Sequence, residues 1–158
     1  MTATEATKSK IYGRAQTLVF CIFSAAVLLS AKAPVLFLSP RAAILGDVLC
    51  ALGVMLMLTA IFYLRRVIQI EPNPVEGGEL ITRGVYGWFR HPIYTAIDSM
   101  VVGLFLRQPT LAAAAAAVLV IVFLVVKVRF EEALLAARYP GYAAYRQTSW
   151  GVFPGLRW

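Results

Sequence analysis

Histidine and cysteine are scarce in this chain, which has one of the former and two of the latter among its 158 residues. Zinc sites are built mainly from several Cys and His ligands, so the sequence offers no set for one. Charge is scarce as well, at 15% of residues, while 60% are hydrophobic. Soluble domains average about 25% charged and about 45–50% apolar residues. This composition excludes a separate soluble catalytic module and predicts a single membrane domain over residues 1–158.

Four stretches are apolar enough, or nearly so, to be membrane spans, each of which needs about 20 apolar residues. They lie at roughly 15–38, 42–64, 93–106 and 110–128. The third is short, which a start deep in the membrane would explain. The sequence therefore predicts an all-α integral membrane protein with about four transmembrane helices, a loop at 65–91 and a C-terminal segment at 129–158.

The basic residues predict how these spans are oriented. All but three of the 15 Lys and Arg residues, the exceptions being Lys32, Arg41 and Arg107, fall on one side of the four-span arrangement. Positively charged loops stay in the cytoplasm. We therefore expect both termini and the loop at 65–91 to face the cytoplasm.

One polar cluster stands at the start of the third span, in "RGVYGWFRHPIYTA". Pro92 suits the first turn of a helix, so Arg90 and His91 should lead into that helix. The free amides of a helix start favour an anion, and Arg90 adds donors suited to a carboxylate or phosphate. The alternative is an interfacial anchor formed by basic and aromatic residues, with Tyr94 and Trp88 in the aromatic belt.

A second cluster follows the fourth span, where no helix breaker occurs before Pro140. Glu131 and Glu132 should therefore lie on one long helix just past the membrane, where they gain nothing from its dipole. They could form surface salt bridges with Lys127 or Arg129, worth only about 0–1 kcal/mol. Alternatively, one glutamate points into a pocket and meets a cationic group.

The two clusters should converge, because they lie at the same ends of consecutive antiparallel spans joined by a short turn. Arg, His and amide donors on one side would then face carboxylates on the other. Such a site suits a small zwitterion, for which a free amino acid moiety is the simplest candidate.

The stretches "LITRGVYGWFRHPIYTA" and "FEEALLAARYPGYAAYR" resemble the isoprenylcysteine carboxyl methyltransferase and phospholipid methyltransferase group of integral membrane enzymes. The resemblance covers roughly residues 79–147. It implies S-adenosyl-L-methionine as cofactor, in a pocket formed by the last two helices and the cytoplasmic C-terminal helical segment. The residues that it implies for this pocket are Tyr86, Arg90, His91, Pro92, Tyr94, Glu131 and Glu132. Ala96 stands where the family has glycine.

The implied reaction is methyl transfer to a lipophilic acceptor that enters sideways between helices, most simply the carboxylate of an isoprenylcysteine-like substrate. Arg129 is the candidate for orienting such a carboxylate, although it could be only a flanking charge. Glu132 would act as base for an amine acceptor. Asp98 lies inside the third span, where ionisable residues are costly and often functional, and is a candidate for acceptor binding or for a structural polar contact.

Three other functions fit parts of the pattern. A phospholipid amine N-methyltransferase would use the same cofactor. A sterol-reductase-like enzyme would use NADPH and also carries an Arg-His-Pro-like element, but such proteins are longer. A non-enzymatic four-helix protein could bind a lipid or an assembly partner, with both clusters as interface anchors. The oligomeric state and the identity of the acceptor are not encoded in any motif.

Overall fold

The computed structural model describes residues 3–36, 39–65 and 80–157. Within these ranges the protein is all-helical, with five α-helices and one 3-10 turn. The elements are α1 (Ala3–Leu29), α2 (Pro40–Leu64), the 3-10 turn (Gly84–Gly87), α3 (Pro92–Arg107), α4 (Leu111–Arg138) and α5 (Tyr142–Thr148). Most of the predicted loop at 65–91, namely residues 66–79, lies outside the described residues.

The helix starts follow from capping chemistry. Ser39 caps α2 by accepting a hydrogen bond from the Ala42 amide at 3.3 Å. Thr110 caps α4 by accepting one from the Ala113 amide at 3.2 Å. Both hydroxyls satisfy amides that have no partner inside the helix. Pro92 occupies the first turn of α3, as predicted, because its missing N–H costs nothing there.

Three of the described helices, α1, α2 and α4, are long and apolar enough to cross a membrane. The stretch 15–38, predicted as the first span, does not coincide with one helix, because α1 begins at Ala3 and stops at Leu29. There the Ser30 hydroxyl hydrogen-bonds back to the Ala26 carbonyl, and a turn follows. The 16 residues of α3 extend only about 24 Å at 1.5 Å per residue, which is shorter than a bilayer core.

The helices α1 to α4 pack in the spatial order α2, α3, α4, α1, with α3 and α4 in the middle. The contact between α2 and α3 rests on small residues. A Cβ atom on Gly46 would lie 2.6 Å from the Gly103 carbonyl oxygen, so only glycine allows the two backbones to approach this closely. Ala96 is fully buried, and its carbonyl lies against Gly53 of α2. The residue that departs from the family glycine therefore packs in a helix–helix contact.

The apolar core lies where α4 meets α1 and α3. Val19 and Phe23 of α1 pack with Val101 of α3 and with Val120 and Leu124 of α4. The alanine run at 112–117, predicted as a packing face, contributes only part of its length: Ala113, Ala116 and Ala117 are buried, whereas Ala112 and Ala115 are exposed. A helix turns every 3.6 residues, so six consecutive alanines cannot all face one neighbour.

The bundle has two distinct ends. At the first, which we call the cluster end, the ring of Tyr63 near the end of α2 packs on Gly84 beside the start of α3. At the opposite, far end, Arg107 pairs with Asp47, and Ser30 hydrogen-bonds Thr110 at 3.0 Å. Because α3 begins at the cluster end and finishes at the far end, it runs the length of the bundle.

Candidate active site

The start of α3 is held in place by the C-terminal segment. The Arg90 amide donates to the Trp150 carbonyl at 2.8 Å, and the Trp150 amide donates to the Trp88 carbonyl at 2.8 Å. Phe89 and Trp150 form a parallel β-bridge, and their rings pack edge to face. One turn into α3, the Thr95 hydroxyl donates to the Val152 carbonyl at 2.6 Å. The backbone around His91 is thereby fixed from both sides.

The side chain of Arg90 is fully buried and connects three segments. Its Nε donates to Glu132 Oε1 at 2.7 Å. Its Nη1 donates to the backbone carbonyls of Ser149 at 2.6 Å and Arg146 at 3.1 Å. A charge this far from water persists only when it is paired and hydrogen-bonded. Arg90 thus ties the start of α3 to α4 and to the C-terminal segment.

His91 faces both glutamates, as the sequence predicted. Its Nδ1 lies 3.6 Å from Glu131 Oε2, and its Nε2 lies 3.4 Å from Glu132 Oε1. All three side chains are largely withdrawn from solvent, with His91 7% exposed and Glu132 6% exposed. The convergence of the two motifs, one before α3 and one late in α4, is therefore observed.

Glu131 is surrounded by donors from α3 and α4. The Tyr94 hydroxyl donates to Glu131 Oε1 at 2.6 Å, and Lys127 Nζ lies 3.6 Å from the same oxygen. Lys127 also hydrogen-bonds Gln16 of α1 and lies over the Tyr94 ring, 5.3 Å from its centre. The side chain of Lys127 is only 1% exposed, so the surface salt bridge considered from sequence is instead a buried one. We call Arg90, His91, Tyr94, Lys127, Glu131 and Glu132 the polar cluster.

Two polar atoms beside Glu132 make no well-aligned hydrogen bond with the described residues: the hydroxyl of Tyr142, and His91 Nε2, whose contact with Glu132 Oε1 is long at 3.4 Å. Tyr142 is 1% exposed. Its burial, and then the negative charge of Glu132, raise the pKa of this phenol above its ordinary value. Tyr142 therefore carries a proton that it can donate. Buried polar atoms are nearly always hydrogen-bonded, so such atoms mark a place where a ligand could complete the bonding.

Tyr86 and Tyr145 belong to the wall around the cluster. The Tyr145 hydroxyl donates to the Tyr86 carbonyl and, at 3.4 Å, to the Phe89 carbonyl. Burial raises the pKa of Tyr145 to about 12 and that of Tyr86 still further. Both phenols therefore stay neutral at physiological pH. Tyr145 fixes the 3-10 turn on which Tyr86 lies.

Besides Tyr86, three residues implicated from sequence lie outside the polar cluster. Arg129 is exposed on α4 and makes no hydrogen bond or ion pair with any described residue, so its role in orienting an acceptor stays a prediction. Asp98 lies one turn beyond Tyr94 in α3 and is buried. Pro92 is buried in the first turn of α3, where its part is to start the helix.

Sequence reasoning missed two neighbours of Glu132. Tyr142 lies in the "YPGYAAYR" stretch, whose spaced aromatic residues were noticed without a role for any one of them. Arg146 places its Nε 3.7 Å from Glu132 Oε2 while its side chain stays half-exposed. The sequence did carry a signal for these residues. Tyr142, Tyr145 and Arg146 are spaced three and four residues apart, a spacing that places side chains on the same face of a helix.

The phospholipid methyltransferase family matches residues 41–141, which is more than half of the chain and includes every residue of the polar cluster. The chain belongs to this family. Membership assigns it to the membrane methyltransferases and confirms the resemblance drawn from its motifs. The match begins at α2, so the resemblance extends further toward the N-terminus than the motifs suggested, and it ends just before α5. No curated protein matches the chain significantly.

Proposed function

We propose that the protein is an S-adenosyl-L-methionine-dependent methyltransferase that acts on a lipophilic acceptor at the cytoplasmic edge of the membrane. The observation that carries this proposal is the pair of glutamates facing His91 inside the region matched by the family. The cofactor would supply an electrophilic methyl group together with a separate amino acid moiety. Glu131 and Glu132 suit its ammonium group, and the donors of the polar cluster suit its carboxylate.

The unpartnered atoms support this fit. His91 Nε2 and the Tyr142 hydroxyl are buried groups whose hydrogen bonds a bound cofactor could complete. Tyr86, Pro92 and Tyr94 would form the wall around it, with α5 and the residues after it as the cover. The role of the protein is to orient the reacting groups and to exclude water, and such positioning can be worth about 7–11 kcal/mol.

For the acceptor we propose the carboxylate of an isoprenylcysteine-like molecule. The basic side chains at this end of α4 and in α5, the exposed Arg129 and the half-exposed Arg146, would attract an anionic head group. A phospholipid amine, the acceptor named by the family's description as phospholipid methyltransferase, is the second candidate, and Glu132 would act as base for it. The apolar tail would occupy the bilayer in either case.

Cofactor binding is tested by thermal denaturation of the detergent-solubilised protein. S-adenosylhomocysteine should raise the melting temperature, and NADPH should leave it unchanged. Stabilisation by NADPH would instead indicate a reductase. No stabilisation by either would favour a protein that binds lipids or partners without catalysis.

Tyr142→Phe sharpens this test, because the hydroxyl that it removes makes no well-aligned hydrogen bond with a described residue. The variant should keep the melting temperature of the wild type but bind S-adenosylhomocysteine roughly tenfold more weakly, as expected when a hydrogen bond is lost. Tyr12→Phe is the matched control, since the Tyr12 ring stacks on Phe130 and its hydroxyl bonds no described residue. Equal cofactor affinity in the two variants would remove Tyr142 from the site.

The acceptor is tested with cofactor labelled in its methyl group and a membrane lipid extract. A methyl ester releases its label as methanol in mild base, whereas an N-methyl group is stable. Base-labile label is expected for the proposed carboxylate acceptor. Base-stable label in a phospholipid would overturn it in favour of the amine.

A further inference from the structure

Asp98 is a buried acid that the contacts of the fold leave unexplained. It lies in the second turn of α3, is 4% exposed, and neither carboxyl oxygen has a hydrogen-bond partner among the described residues. Burying a carboxyl group without a partner costs free energy, whether or not it is ionised. When an ionisable residue lies inside a membrane segment and makes no contact that stabilises the fold, that residue is a candidate for function.

The other polar side chains around Asp98 on α3 are all satisfied. Tyr94 donates to Glu131, Thr95 donates to Val152, and Ser99 donates to the Leu49 carbonyl of α2. The other aspartate of the chain, Asp47, pairs with Arg107. Asp98 is thus the one polar side chain of α3 without a hydrogen-bond partner among the described residues. No contact between the described helices explains why a carboxyl group is buried there.

The position of Asp98 connects the polar cluster with the apolar interior. Four residues before it, Tyr94 bonds Glu131; three residues after it, Val101 enters the apolar core with Leu124. Side chains of a helix lean toward its N-terminus, so the carboxyl group of Asp98 leans toward the polar cluster.

The side of α3 that carries Asp98 also carries His91, because seven residues make almost two full turns. His91 Nε2 has only the long contact with Glu132, so two buried residues whose atoms lack a well-aligned hydrogen bond among the described residues share this side of the helix. One turn beyond Asp98, Val102 is only partly buried, so the helix is less covered there. A lipid tail could leave the site at this level.

We infer that Asp98 accepts a hydrogen bond from an N–H group of the methyl acceptor and so selects acceptors that carry one. This inference rests on the proposed function. An acylated, prenylated cysteine has an amide N–H on the carbon that bears its carboxylate. With the carboxylate near Arg129 and Arg146 at the cluster end and the prenyl chain in the bilayer, that N–H falls between them, at the level of Asp98.

Two acceptors that differ only in the acetamido group that carries the N–H test the inference. N-acetyl-S-farnesylcysteine has the N–H, whereas S-farnesylthiopropionic acid keeps the thioether, the chain and the carboxylate without it. The wild type should methylate the first with a kcat/KM roughly ten- to a hundredfold higher than the second, the size expected for one hydrogen bond to a buried acid. Asp98→Leu should lose most of this preference, through a higher KM for the acceptor that has the N–H.

Asp47→Asn is the matched control, because it changes the other membrane aspartate at the far end and should keep the full preference. Stabilisation by S-adenosylhomocysteine shows that each variant is folded, and Asp98→Ala, which also has no acceptor, replaces Asp98→Leu if the latter is not. A merely structural role would lower stability without changing the ratio between the two acceptors.

The outcomes separate this inference from the proposed function. An unchanged ratio in a folded Asp98 variant overturns the inference and leaves the proposed function standing. A wild type that methylates both acceptors equally does the same. A wild type that is not stabilised by S-adenosylhomocysteine and transfers no methyl group to either acceptor overturns both.

Discussion

The guanidinium group of Arg90 donates to a glutamate and to two backbone carbonyls, so protein groups already occupy much of its bonding capacity. Arg90 therefore contributes to the site mainly by positioning other groups. It positions Glu132 opposite His91 and keeps the C-terminal segment against the start of α3. Replacing Glu132 would leave the buried Arg90 charge without its carboxylate, which is why Tyr142→Phe is the cleaner probe of cofactor binding.

Gly84 provides a prediction at the scale of one residue. Its φ is +63°, which favours glycine, and a Cβ atom there would collide with the ring of Tyr63. Gly84→Ala should therefore lower the free energy of unfolding through both backbone strain and overpacking. Gly155→Ala is the control for strain alone, because Gly155 has a φ of +82° and no neighbouring atom within 4 Å of such a Cβ.

Thermal denaturation in detergent should show Gly84→Ala to be the more destabilising of the two by about 1–3 kcal/mol, the usual cost of overpacking. Equal losses would mean that Tyr63 moves aside without cost. In that case the contact between α2 and the 3-10 turn would not help to position the site.

The contacts between the helices are of two kinds. The α4 contacts with α1 and α3 enclose a cluster of large apolar side chains, whereas the α2 contact with α3 depends on glycines and close backbones. Lipid is as apolar as the protein interior, so close packing drives such helix association. This explains why α2 can leave large apolar side chains exposed, among them Leu45, Leu52, Met55 and Leu58.

Gly46→Ala tests the close contact at the scale of helices. The new methyl group would lie 2.6 Å from the Gly103 carbonyl oxygen, so α2 must move away from α3. We expect a loss of about 1–3 kcal/mol in the free energy of unfolding, measured by thermal denaturation. Gly141→Ala makes the same chemical change where no atom lies within 4 Å of the new Cβ, and it should change stability far less.

At the scale of the whole molecule, the two ends of the bundle decide its topology. The helix α3 starts beside the polar cluster and ends at Arg107, which pairs with Asp47 near the opposite end of α2. Although α3 is too short to be counted with the three candidate spans, it runs from the cluster end to the far end. We therefore propose four crossings, with both termini in the cytoplasm.

Reporter fusions at the two termini test this topology. A fluorescent protein that folds only in the cytoplasm should be active at the N-terminus and at the C-terminus, while an alkaline phosphatase, which needs an oxidising compartment, should be inactive at both. Termini on opposite sides of the membrane would show that the number of crossings is odd. In that case α3 would not cross, and the proposed position of the cofactor site would need revision.

Much of this architecture could be predicted from sequence, because lipid allows few solutions. Apolar runs had to become helices, since only a helix satisfies its own backbone there, and Pro92 had to begin one. Helix limits were less predictable. The end of α1 at Leu29 depends on the Ser30 bond to Ala26 and on the packing of Ser30 against Thr110, a partner 80 residues away.

The sequence by itself determined that the protein has apolar helices and that two polar motifs flank consecutive ones, since periodicity and charge are local properties. Only the tertiary structure decided which side chains those motifs bring together. Arg90 became buried against Glu132, Lys127 joined α1 to Glu131, Arg129 stayed exposed, and Asp98 was left without a hydrogen-bond partner among the described residues. The physical reason is that contacts with neighbouring helices fix the rotation of each helix about its own axis. That rotation decides whether a charged side chain is paired, solvated or left for a ligand.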